Sequence, residues 1–158
     1  MIMDQYVTYN SEYQVLICHI HSFALAPESI ERHFRTHHKE TSLAIRQSIS
    51  QYSSQLQLKH PNDVRIPSTT TPIKGLSIIT GAQCLYEDCM ELRGSEKAME
   101  IHCREKHGWL FKDGIKWKKQ VVQTFFPGVH CRYTMIYEAI LTIDISQLQM
   151  MAMRTSQL

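Results

Sequence analysis

The chain has 158 residues, 43% hydrophobic and 20% charged, with a formal net charge of +2. That balance excludes a disordered polyelectrolyte, and no run approaches the roughly 20 apolar residues of a membrane span. The apolar residues are scattered, so one modest domain or two very small ones is expected, and units that small generally need metal or disulfides.

Five cysteines, an odd number, stand beside nine histidines. The opening residues MIMDQYVTYN lack the basic and apolar regions of a secretory signal. The thiols are therefore expected in a reducing, intracellular compartment, where clustered cysteines serve as ligands rather than as disulfides.

Along the chain, residues 13–18 are β-prone and lead into Cys18. Pro27 suits the opening of a helix. Apolar residues then recur at about 3.6, from Ile30 and Phe34 through Ile45, Ile49, Tyr52 and Leu56, with a break near His37 and His38. This predicts one long helix, or two in line, over 28–57. Residues 60–75 hold three prolines and a Ser/Thr run, the composition of a linker. Leu76 to Thr80 reads as a strand ending at Gly81, and Ser95 as the N-cap of a helix over 96–107. Residues 109–126 mix aromatic and basic side chains around Asp113-Gly114, compatible with a hairpin.

Two ligand sets carry the chemistry. The more regular is Cys84-x4-Cys89-x12-His102-x4-His107. Two thiolates on a turn and two imidazoles one helical turn apart can surround a tetrahedral zinc, and the spacing falls within the CCHH finger pattern. His102 and His107 are five apart, so the last turn must adjust for both rings to reach one ion. Met99 sits where a finger places an apolar residue beneath the metal, whereas Arg93 stands where an aromatic is usual. The second set is Cys18-x2-His21-x11-His33, completed by His37 or His38. The x4 spacing of the other set favours His38, and His37 stays open. Leu16, Leu25 and Ile30 provide apolar support. Cys103, adjacent to His102, is expected to point away from the metal. Cys131, His19, His60 and His130 complete no set.

These features predict a small α+β protein of two ββα-like zinc-stabilised units, joined by a long helix and a Pro/Ser/Thr-rich linker. Residues 12–58 would form the first finger-like unit with its extended helix, 59–75 the linker, 76–133 the second CCHH finger with a basic aromatic segment, and 134–158 a C-terminal tail.

The runs VLICHIHSFALAPESIERHFRTHHK, CLYEDCMELRGSEKAMEIHCREKHGW and VVQTFFPGVHCRY together resemble fungal proteins related to the orsellinic acid biosynthesis cluster protein D. Family members are similar in opening with C-x2-C and H-x4-H, followed by a second finger-like unit, a tryptophan segment and a "vQtff" block. Here the later features correspond to Trp109, Trp117, Gln123, Thr124, Phe125, Phe126, Arg132 and Tyr133, and the likeness covers about residues 12–133. His21 replaces a cysteine of the family pattern. Members continue beyond this block, so the resemblance implies a shortened member or an N-terminal module. It implies zinc fingers more firmly than any process.

Charge decides between functions. Across 84–109, Glu87, Asp88, Glu91, Glu96, Glu100 and Glu105 oppose Arg93, Lys97, Arg104 and Lys106. A net acidic finger suits phosphate poorly. The expected function is a zinc-binding module acting through a protein partner. The alternative is a nucleic-acid-binding, transcription-related finger protein whose contacts come from Lys112, Lys116, Trp117, Lys118 and Lys119. Two zinc ions, no membrane partner, no catalysis and a nuclear rather than cytoplasmic location complete the expectation, because four protein ligands leave a zinc no open position.

Overall fold

The computed structural model describes residues 2–137; the remainder of the expected tail, 138–158, lies outside the described residues. The protein is a small mixed α+β fold with two sheets and few helices. Its described residues divide into two compact units that interleave along the chain: those up to Ile66 with Lys74–Ser77 and Thr124–Arg132, and Pro67–Ile73 with Ile78–Gln123 and 133–137.

In the first unit β1 (Val7–Asn10), β2 (Val15–Cys18) and β3 (Phe23–Leu25) form an antiparallel sheet with β2 in the centre. All four residues of β2 are buried, as expected of a strand covered on both faces. Successive side chains alternate, so Leu16 and Cys18 face one core, formed with Val7, Leu25, Ile30, Phe34 and Ile49. Ile17 faces the other way and packs against Gly75, where an added Cβ would lie 3.2 Å from its Cγ2.

Of the two alternatives expected over 28–57, one long helix or two, the protein forms two. A turn of 3-10 helix (Pro27–Ser29) leads into α1 (Ile30–His37), and α2 follows at Leu43–Ser54. The break falls where His38 leaves the helical conformation while its N–H still donates to the Phe34 carbonyl. Ser42 then restarts the helix by accepting from the Ile45 N–H. Residues 59–75 are anchored at several points: Arg132 donates to the carbonyls of Pro61 and Val64 within the first unit.

The second unit holds a five-stranded sheet, ordered β4 (Thr69–Thr70), β8 (Tyr133–Ile136), β7 (Trp117–Thr124), β5 (Ile78–Cys84), β6 (Leu92–Arg93). The strand expected at 76–80 thus starts later and passes through Gly81 to Cys84. Glycine is required there, because a Cβ would lie 2.2 Å from the Arg93 carbonyl oxygen of the neighbouring strand. The expected hairpin around Asp113-Gly114 does not form. Residues 110–116 are a loop, and β7 pairs with β5, Ile78 opposite Gln123 and Cys84 opposite Trp117. The Gln123 side chain is fully buried and brackets Ile73, accepting from its N–H at 2.8 Å and donating to its carbonyl at 3.1 Å. Helix α3 (Glu96–His107) begins at the expected cap, with Ser95 accepting from the Ala98 N–H, and ends at left-handed Gly108. Among the described residues no helix is long and apolar enough to cross a membrane.

Candidate metal centres

Cys18 ends β2, and the turn after it, closed by the Ser22 N–H on the Cys18 carbonyl, carries His21. His33 lies on the buried face of α1, one residue before Phe34 and three after Ile30. His38 follows the end of that helix, its ring stacked on Phe34 with centroids 4.5 Å apart. These elements bring four donor atoms together: Cys18 Sγ is 3.5 Å from His21 Nδ1 and 3.3 Å from His38 Nε2, and His38 Nε2 is 3.1 Å from His33 Nε2. All four lie within 4.8 Å of one another. His37, the alternative ligand, is exposed and outside this group.

The second group is built by a strand, a tight turn and a helix. Cys84 ends β5, its N–H held by the Glu91 carbonyl, and the turn to Cys89 passes through Asp88 at φ 59°. Helix α3 supplies His102 from its buried face and His107 from its last position. Cys84 Sγ lies 3.6 Å from His107 Nε2, and Cys89 Sγ 3.3 Å from His102 Nε2. These four donors also fall within 4.8 Å of one another. Met99 is fully buried beneath them, with Ala82, Cys103 and Trp109.

The separations test the fit directly. A tetrahedral ion with bonds of about 2.05 Å to nitrogen and about 2.3 Å to sulfur keeps its ligands about 3.3 Å apart for N to N and about 3.5 Å for N to S. Both groups approach these values at every short edge. The electrostatics agree with a set of metal donors rather than of ion pairs. Burial, followed by the neighbouring charges of His38, His21 and His37, lowers the His33 pKa to about 4. His38 and His102 are lowered as well, chiefly by burial. Neutral imidazoles, the form that binds metal, are therefore favoured. Burial raises the Cys18 and Cys89 thiols, so an uncompensated thiolate is disfavoured there. His102 Nδ1 is buried without a hydrogen-bond partner.

Three neighbours were not legible in the spacing. The Tyr86 ring stacks on His107, centroids 4.2 Å apart and planes nearly parallel, and limits its rotation. Cys103, expected to point away from the metal, is fully buried with its sulfur 3.9 Å from Cys84 Sγ. Trp117, expected as an exposed ring, packs edge-on against Trp109 at 5.3 Å with its indole nitrogen buried. Lys112, Lys116, Lys118 and Lys119 are exposed. Among the described residues none of the four forms an ion pair.

The family described as orsellinic acid/F9775 biosynthesis cluster protein D matches residues 5–108, a stretch that includes both donor groups. The chain is 35% identical over 126 residues to a protein of that description from Emericella nidulans, a match covering 79% of this chain and 24% of the relative. The chain thus spans about a quarter of the length of that curated relative, at 24%. No solved structure matches it.

Proposed function

The chain belongs to the family of the orsellinic acid/F9775 biosynthesis cluster protein D, and we propose that it acts there as a binding module shaped by two zinc ions. The observation that carries this reading is the pair of complete four-donor groups, each Cys/His only and each with its donors within 4.8 Å of one another. Mixed thiolate and imidazole donors suit zinc better than magnesium or calcium, which take oxygen. Four protein ligands leave no position for a substrate or a reactive water, so the ions hold structure. In the second group the order β5, β6, α3 supports a ββα finger, with Met99 under the ion. In the first, a β2–β3 turn and α1 play the same part around a Cys/His/His/His set.

A protein partner is favoured over base reading by the finger helix. The outer face of α3 presents Glu96 and Glu105 beside Lys106, while Glu100 is tied to Lys97 and Arg104, which leaves no net positive charge. Such a face has little to offer phosphate. The deciding measurement is the zinc content of protein purified without added metal. Two ions per chain are expected, falling to one in Cys89→Ser. Full retention in that variant would overturn the second site, and absence of zinc from the parent would overturn both.

A further inference from the structure

The loop 110–116 has no role in either metal group, yet it is built with care. The Trp109 indole N–H donates to the Gly114 carbonyl at 2.7 Å, and the Leu110 N–H donates to the Asp113 carboxylate at 2.7 Å. The Asp113 N–H returns to the Leu110 carbonyl, and Gly114 turns the chain at φ 72°. The backbone polar groups are thus satisfied locally, while the side chains face water. Phe111 is 92% exposed, Ile115 73% and Leu110 54%. Leu85, 54% exposed, adjoins them through its N–H on the Lys116 carbonyl. Contiguous apolar side chains left in water mark a contact surface.

Charge identifies the class of partner. Lys112 and Lys116 belong to the loop, and Lys118 and Lys119 follow it. The one acidic residue of 110–119, Asp113, is engaged by the Leu110 N–H. A protein interface enriches aromatic residues but depletes lysine. A nucleic-acid strand would use the lysines and could stack on Phe111, but it has no use for Leu110 and Ile115, and the Trp117 ring is committed to Trp109. An anionic bilayer uses both kinds of side chain. Apolar side chains enter the boundary between headgroups and acyl chains, while ammonium groups stay among the phosphates.

We propose that this loop attaches the protein peripherally to an anionic phospholipid surface, with Phe111 as the inserted anchor and Lys112 and Lys116 as the electrostatic contact. Such adsorption needs no spanning segment, and it does not depend on the identity of the metal.

The test is co-sedimentation of the metal-loaded protein with phosphatidylcholine vesicles, with and without phosphatidylserine. Binding is expected only with phosphatidylserine, weakening as salt is raised. Phe111→Asp should reduce it roughly tenfold and Lys112→Glu with Lys116→Glu should abolish it, since apolar burial and lysine contacts both contribute. Phe111 is too exposed for its loss to unfold the protein, and unchanged zinc content in Phe111→Asp verifies this. In Phe111→Trp, added emission that shifts to the blue with phosphatidylserine vesicles would report insertion. Absence of vesicle binding, or binding indifferent to Phe111→Asp, would overturn the proposal. Binding of a single-stranded oligonucleotide without vesicle binding would replace it by nucleic-acid contact.

Discussion

At the scale of single residues, the choice of the fourth ligand in the first group turns on two adjacent histidines. His38 leaves the helix, stacks on Phe34 and points Nε2 at Cys18, whereas His37 stays exposed on the last turn of α1. His38→Ala is therefore expected to release one zinc per chain, and His37→Ala to release none; elemental analysis of the two variants separates them. The same residues set the response to acid. His33 titrates near 4 in the folded chain but near 6.5 when unfolded. Between those values the unfolded chain takes up a proton that the folded chain refuses, so stability falls as the pH falls, by up to roughly 3 kcal/mol from this group. The raised thiols of Cys18, Cys89 and Cys103 act at the opposite end. Their contribution is complete below pH 9 and lost as the pH rises through the folded values. Metal-free protein should be most stable between these limits. Acid should also empty the first group before the second, because three imidazoles and one thiolate neutralise less of the ion's charge than two and two. A zinc indicator followed down the pH scale, in parent and Cys89→Ser protein, would show whether the order is reversed.

At the scale of elements, α3 is the most locally specified piece of the protein. Its Ser95 cap, its bounds at 96–107 and the inward positions of Met99 and His102 could all be placed from neighbouring residues. Ser95→Ala should lose about 1 kcal/mol through the freed Ala98 N–H, measurable by denaturant unfolding. Gly81→Ala should cost more, since its Cβ would meet a backbone oxygen of β6 that cannot swing aside. A melting temperature no lower than that of Ser95→Ala would refute this order. Over 28–57 the sequence left one helix or two open, because periodicity records which side chains face inward, and Ile30, Phe34 and Ile49 do. It does not record that His38 must leave the helix to reach Cys18. The hairpin expected around Asp113-Gly114 failed because the turn was real but its flanks were not partners, β7 having found β5 instead.

Over the whole molecule, the two units are expected to depend on bound metal to different degrees. Around the first site lie seven buried residues and eight partly buried apolar ones, in reach of a three-stranded sheet and two helices. The core beneath the second site has five buried residues, two of them thiols. Chelation is expected to expose the amides of α3 while those of β1, β2 and β3 keep most of their protection, although the first site is expected to bind the more weakly. Hydrogen exchange with and without chelator measures this, and equal loss in both units would contradict it. The sequence alone marked seven of the eight donors and narrowed the eighth to His37 or His38, because ligand spacing is a local property of turns and helix faces. It also marked Ser95 as a cap and 84–109 as acidic. Only the tertiary structure decided between His37 and His38, packed Trp117 edge-on against Trp109, engaged Gln123 with Ile73 and left Phe111 in water. Each of these depends on partners brought together by strand pairing and core packing, and neither the spacing of ligands nor the period of a helix encodes which distant segment arrives.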